Sequence, residues 1–527
     1  MFRAKKRMYK STSRLYYEEK NERKTEMAQI GRTTVESPMV AMGVKHPGHD
    51  SKLQLQKQIF EEIMEKGLID ASLKDQLFAL VDAPAPQGGP PGPQPSPFEM
   101  AGKQGLVSEE AVKELNNRYF ELSHGKGVVC SGSAEHVYDG VEVTIDGEEL
   151  STTQSGYNVI KAVNGAHVTL KNVTLKKSGS SSHHECSFTG YNAGILAEGG
   201  VVDIEDSYIV SDATNGNNLF AHGEGSVINL KNCKLDAFGE ASNRTTYCSW
   251  GGELNIENCE LTTRGVTSAV IVTDTGGGTI RVKDSALKLM GRFSGCIYST
   301  GQVYIDHCRA VANEWEVCVI VGNNAVYVKD SYLFSSKNQG VKVFTKEGDG
   351  ATFVMEGGLF AVCEGPVLFT TGNHAHFTLR NVQVSNPDGI AFMADKQERG
   401  GGGPGMPPMP GQSAINDMHV DLYEQQIKGD TICDDVHTVT VNLHEGSEYT
   451  GAVNNGNTAA AAKLTLDEDS MWYATGESWL DVLVDEDETL FNIVSEYDIH
   501  YDASNPENAW LKGETYELAG GGMLMPK

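Results

Sequence analysis

The chain contains no apolar run of membrane-spanning length, which excludes a helical membrane span from the sequence as given. Aromatic residues are scarce, at 8% against 58 glycines among 527 residues, which argues against a helical bundle and for short strands joined by tight turns. Positive charge is also in short supply. With 43 Lys and Arg against 71 Asp and Glu the net charge is −28, so nucleic acid and anionic membrane are excluded as partners of the main body. Ten cysteines are too few for a disulfide scaffold in a chain this long. Residues 1–27 are the exception in charge, with Arg3, Lys5, Lys6, Arg7 and further basic residues. They carry no apolar core of the kind an export signal needs. The expectation is a disordered basic leader, or an upstream extension with the natural start at Met27, together with reduced thiols and a cytoplasmic location.

The length suits two or three domains or one long solenoid. Residues 28–82 read as a helical segment: Leu53, Leu55, Ile59, Ile63 and Leu68 recur at helical spacing, and Leu73, Leu77 and Leu80 follow a break at Ile69 and Asp70. Asp70 is placed to cap the second helix. Residues 83–107 read as a Pro/Gly linker. Residues 108–140 read as a capping helix and lead-in, with Ser108 as the cap and Glu109 and Glu110 in the first turn. A second Gly/Pro stretch, 396–411, reads as a flap between a repetitive region, 141–395, and further coils with a cap, 412–527.

The repetitive region sets the fold. Nine segments align on the apolar residues Val168, Val202, Ile228, Leu254, Ile280, Val303, Val326, Phe353 and Phe377. Spacings of 23 to 34 residues with no helical pattern predict an all-β solenoid, a right-handed parallel β-helix with an N-terminal helical extension. Four residues after each apolar position stands a corner residue: Asn172, Asp206, Asn232, Asn258, Asp284, His307, Asp330, Gly357 or Asn381. Asn and Asp accept left-handed backbone and hydrogen-bond locally. The next column is small and inward (Ser207, Cys233, Cys259, Ser285, Cys308 and Ser331 among them), so its cysteines read as core packers.

A second strand per coil places an apolar column on the outside: Leu196, Phe220, Cys248, Val272, Tyr298, Ile320, Phe344, Phe369 and Met393. Such a stripe calls for cover by the N-terminal helices, the Gly/Pro loop, a second subunit or a substrate. Two residues along runs the row Glu198, His222, Trp250 and Asp274. An acid, an imidazole and a second acid on adjacent coils suit proton transfer, and Trp250, Tyr247 and Tyr298 suit stacking against a ring. A solvated polar surface presents a similar row. The long loop 176–191 adds His183 and His184, of which one can shuttle protons near neutral pH. Arg264 and Arg292 occupy equivalent turns and, with Arg244, read as a cationic lip or as ordinary surface arginines. Adjacent histidines do not converge on one ion, and no nucleotide-binding glycine signature is present, so neither metal nor cofactor is expected.

The repeated apolar-x-apolar-x-[Asn/Asp]-[Ser/Cys]-x-apolar units resemble the right-handed β-helix repeat proteins of the pectate-lyase-like superfamily. The resemblance covers about two thirds of the chain. It implies the fold, and a setting in which lyases, hydrolases and epimerases of polysaccharides are common. The Asn-Thr-Asp, Asp-Asp and Gly-His-Gly set of polygalacturonases is absent, as is a calcium-binding aspartate cluster, so no catalytic residue carries over. The function expected is therefore a cofactor-independent acid–base enzyme: a lyase, hydrolase, isomerase or transferase. Its substrate would be an oligosaccharide or other ring-bearing polar small molecule in a groove on the outer face. The alternatives are isomerisation or hydroxyl transfer on a phenolic metabolite, and a non-catalytic carbohydrate-binding or adhesin-like solenoid. A homo-oligomer built on the apolar stripe is compatible with each.

Overall fold

The computed structural model describes residues 49–82, 96–123, 133–181, 186–344, 350–371, 374–396 and 416–527. The basic leader and residues 397–411 of the flap lie outside them. The chain divides into two units, residues 1–85 with 95–115, and residues 86–94 with 116–527.

In the first unit, helices His49–Glu65 and Lys74–Asp82 bury Ile59, Phe60, Ile63, Leu77 and Val81. Asp70 accepts from the Ser72 amide, the Asx cap its position predicted. A further helix, Pro97–Lys103, stands within the segment expected to be linker. Ser96 and Glu99 form a reciprocal capping box, and Pro97 sits at a helix start, where a missing N–H costs nothing. The helix inserts Phe98 edge-on to Phe60, with ring centroids 5.0 Å apart. Helix Glu109–Ser123 starts on Ser108, whose Oγ accepts from the Ala111 amide.

The second unit is the expected β-solenoid. Three parallel sheets of twelve, fourteen and ten strands share successive coils, and two four-stranded sheets finish the stack. One coil illustrates the order: Leu219–His222 in the first sheet, Val227–Lys231 in the second and Lys234–Ala237 in the third. Among the described residues every strand pair is parallel except Tyr516–Glu517 with Met523–Pro526, an antiparallel closure at the C-terminal end. Apolar side chains from all three sheets form one continuous core.

The corners hold the register. All nine corner residues have positive φ, from 45° at Asp330 to 65° at Gly357. Asn258 Nδ2 donates to Asn232 Oδ1 at 2.8 Å, and Asn232 Nδ2 donates to Asp206 Oδ1 at 3.0 Å, so the ladder runs from coil to coil. The inward Ser/Cys column does more than fill space. The Cys259 amide donates to Ser285 Oγ at 2.9 Å, and the Cys308 amide to Ser331 Oγ at 2.9 Å, so each side chain satisfies an N–H exposed by the bend one coil back.

The turns from third to first sheet bring a glycine to one place on three coils, at Gly239, Gly265 and Gly291. A Cβ on Gly265 would lie 2.1 Å from the Gly239 carbonyl oxygen, and one on Gly291 would lie 1.9 Å from that of Gly265. Backbone, which cannot step aside, meets the added carbon. Gly265→Ala is therefore expected to lower the unfolding free energy by ~2–3 kcal/mol. Urea denaturation of the full chain measures this, and an unchanged midpoint would contradict it.

The first sheet departs from the expected register. Tyr247, not Cys248, faces Phe220, and Ser249, not Trp250, faces His222. Val319, not Ile320, faces Tyr298, and Lys342, not Phe344, shares its register with Phe369. Cys248 and Ile320 point into the core instead. Turn length is the reason: four residues separate His222 from Val227, three separate Ser249 from Glu253, and these ends pair with each other.

Candidate functional site

The outer face of the first sheet is where unusual side chains collect. Its column runs Leu196, Phe220, Tyr247, Val272, Tyr298, Val319 and Lys342. Cover for its beginning comes from the chain itself. Residues 186–193 cross the sheet, led by the short helix Cys186–Thr189. Ala193 joins Leu196, Phe220, Tyr247, Ala269 and Val272 in a second apolar cluster, against which Phe188, Tyr191 and Tyr298 pack. Gly190 is pressed on the sheet so closely that a Cβ would fall 2.5 Å from Leu196 Cδ1. Asn158 Nδ2 fixes the crossing by donating to the carbonyls of Gly190 and Ala193, each at 2.9 Å. Leu196, Phe220 and Tyr247 are fully buried as a result, whereas Tyr298, two coils on from Tyr247, is half-buried.

The polar row is real but differently composed. Glu198 and His222 are register neighbours, as expected. Glu198 Oε2 lies 3.3 Å from Lys161 Nζ, and both side chains are largely buried, so this acid is tied to an ammonium the sequence reading had not linked to it. His222 Nδ1 is 3.0 Å from Ser249 Oγ, and the ring is 5% exposed. Asp274 follows Thr273, which pairs with Cys248, so it stands two coils, about 10 Å, along the row from His222. Trp250 leaves the row: it turns with φ of 52°, and its ring lies on Gly276, where a Cβ would be 2.0 Å from Cε3.

Electrostatics groups Asp274 with the two tyrosines. Burial, reinforced by the Asp274 carboxylate, holds the Tyr247 and Tyr298 phenols well above the usual tyrosine range, while Arg244 opposes the shift. Both phenols therefore remain protonated at neutral pH. Tyr247 stacks on Phe220, with centroids 4.5 Å apart, and its hydroxyl lies 3.3 Å from Thr275 Oγ1. Arg244 is buried, its Cζ 5.3 Å from the Tyr247 ring and 5.7 Å from that of Phe188. Arg264 and Arg292, by contrast, are exposed and lie over Phe238 and Phe293, so the three arginines differ in setting and only Arg244 belongs to this patch. His183 and His184 lie outside the described residues. Among the described residues, no group of three His, Cys, Asp or Glu side chains is placed to hold a metal ion.

A second polar group stands on the same face, in the turn Glu314-Trp315-Glu316 that the sequence places near it without assigning Glu316 a role. Glu316 is 1% exposed and accepts from Gln339 Nε2 at 2.9 Å. Burial pushes its carboxyl up to about 7, against the pull of the Lys342 ammonium. Burial in turn lowers Lys342, which Glu316 opposes. The only sequence signal was two acids around Trp315. Because the folded state favours protonated Glu316, its contribution is complete below the ordinary carboxyl range and is lost as pH rises through about 7. Keeping Glu316 ionised costs about 3 kcal/mol, part of which a substitution forfeits through Lys342, so Glu316→Gln is expected to stabilise by ~2 kcal/mol at pH 8.5. At pH 4.5 it should change nothing. Urea midpoints at the two pH values check this, and a gain of equal size at both would refute the assignment.

A separate open groove of about 820 Å³ lies on the outer face of the second sheet, lined by Lys231, Asn255, Arg281 and Tyr304 among others. Its charges alternate in sign and pair along the coils, as Lys171 does with Glu205 and Arg281 with Glu253. No protein-family model, curated protein or solved structure matches the chain. Among the described residues, no helix is long and apolar enough to cross a membrane. Fold and site thus define a parallel β-solenoid with an acid, phenols and a buried arginine gathered on one sheet face.

Proposed function

We propose that the protein is an acid–base enzyme acting on a ring-bearing polar small molecule at the outer face of its first sheet. The observation that carries this is the placement of Asp274 beside Tyr298 and Tyr247, where both phenols feel its charge. Asp274 is the proton acceptor and Tyr298, held protonated and half-buried, is the donor. His222, hydrogen-bonded to Ser249, extends the row at the covered end. The half-buried ring of Tyr298 supplies apolar surface for one face of a substrate ring.

The resemblance of the repeats to pectate-lyase-like proteins supports a carbohydrate ring. The half-buried rings of Phe188 and Tyr298 support a phenolic one. Either substrate meets the same acid and donor.

The test is a consumption screen. The purified full chain is incubated without added cofactor with sets of oligosaccharides, sugar acids and phenolic compounds, and loss is followed by mass spectrometry. Consumption of a ring compound, abolished when His222 and Asp274 are both replaced by alanine, is the expected result. Consumption that persists in the double variant contradicts the proposal.

A further inference from the structure

Arg244 carries a requirement that the fold alone does not meet. Its side chain is 7% exposed, and Nη1 is buried with no hydrogen-bond partner. Two rings lie beside the guanidinium, those of Phe188 and Tyr247, with centroids 5.7 and 5.3 Å from Cζ. Rings satisfy the faces of a guanidinium but leave its in-plane N–H donors unused. Among the described residues Arg244 makes no ion pair. Asp274 exerts its charge on the same two phenols, yet its Oδ1 accepts from the Thr275 amide. A desolvated cation with an idle donor is costly unless an anion completes it.

The column to which Arg244 belongs shows where that anion goes. Asn217, Arg244, Ala269, Gly295 and Glu316 each stand two residues before a strand of the first sheet. The stacking is confirmed by bonds from the Asn218 amide to the Arg244 carbonyl and from the Cys296 amide to the Glu316 carbonyl. On the two coils between Arg244 and Glu316 the column carries the small residues Ala269 and Gly295, both buried, and a Cβ on Gly295 would lie 2.8 Å from Val319 Cγ2. The Arg244 charge reaches across them to the Tyr298 phenol.

We propose that Arg244 anchors a carboxylate borne by the ring of the substrate, with the ring directed toward Tyr298 and Asp274. This rests on the reading of the face as a reaction site and adds the substrate class, a ring monocarboxylate. The planar edge of a guanidinium matches a carboxylate in two parallel hydrogen bonds. A single arginine with Asp274 one coil away and Glu316 further along suits one negative charge. It does not suit the dianion of a phosphate. The ring is either aromatic or a sugar, and the two share the carboxylate chemistry.

Calorimetric titration of the full chain at pH 7.5 tests this with matched pairs: 4-hydroxybenzoate against 4-hydroxybenzamide, and glucuronate against glucuronamide. One acid is expected to bind at least tenfold more tightly than its amide, and the pair that discriminates identifies the ring. Phenyl phosphate is expected to bind no better than the amides. Arg244→Met is expected to bring the acid to the level of the amide, and Arg244→Lys to restore part of the difference. Equal binding of acid and amide by the unmodified chain overturns the proposal without recourse to any variant, as does absence of binding by both acids. Full binding of the acid by folded Arg244→Met overturns it too. The two readings fail separately. If turnover depends on Asp274 but the acid and amide forms of the substrate react alike, the anchor falls and the reaction site stands. If the acid binds through Arg244 but no turnover depends on Asp274, the anchor stands and the acid–base reading falls.

Discussion

Asp274→Asn is expected to lower kcat/KM by about 10²–10⁴-fold on whichever ring compound the chain consumes. The substitution keeps size and hydrogen-bonding shape but removes the basic oxygen. Asp274 is half-buried at the end of a strand whose neighbours Val272 and Thr273 are buried, so the backbone that positions it is not disturbed. Tyr298→Phe removes the donor and is expected to cost about tenfold to a hundredfold, because water replaces a donor more readily than a base. Trp250→Phe, on a residue the register places outside the row, is expected to leave kcat/KM within about threefold. Steady-state rates on the three variants check the order. A Trp250 effect larger than the Asp274 effect would restore the register expected from sequence and remove the site described.

Lys161→Met is expected to destabilise the solenoid by about 3–5 kcal/mol, because it removes the ammonium facing a largely buried carboxylate. Lys161 Nζ and Glu198 Oε2 are 3.3 Å apart, with side-chain exposures of 8% and 13%. At that depth solvent screens little, so the carboxylate left behind is less well compensated than before. Combining Lys161→Met with Glu198→Gln is expected to recover at least half of the loss, since the charge that suffers is then absent. Equilibrium denaturation of the two single variants and the double variant gives the coupling directly. Additive losses would show that the two charges do not sense each other. Coupling places Glu198 in the fold's internal electrostatics and leaves Asp274 as the acid open to substrate.

Those two outcomes turn on features that were unequally legible in the sequence. The corner column could be read because its chemistry is local. Asn, Asp or Gly recurs where the backbone turns left-handed, and Asn172 through Asn381 all have positive φ. Even His307 obeys, at 50°, as the corner substitute it was expected to be. The first-sheet register was only partly legible, because it depends on how many residues each turn consumes. His222 is followed by a longer turn than Ser249, so counting from the next strand set Trp250 where Ser249 stands. The Lys161–Glu198 pair joins positions 37 residues apart, across the longest loop, and Lys161 belongs to a coil that the repeat alignment did not assign to this sheet.

The arginines show the same limit. Arg264 and Arg292 stand just past third-sheet strands, where the turn leaves the solenoid, and are exposed. Arg244 stands two residues before a first-sheet strand, where the turn folds back, and is buried under Phe188. Three arginines in three turns look equivalent until the turn is placed. Glu316 occupies the same incoming position as Arg244, and it was passed over for the same reason.

A crystallographic fragment screen of the full chain with ring-bearing acids and their amides tests the location of the site most directly. Fragments lying over Tyr298, within reach of Asp274 and on the Arg244 side of Glu316, are the result this account predicts. Fragments that ignore this face and settle between Lys231, Asn255 and Arg281 on the second sheet would contradict it.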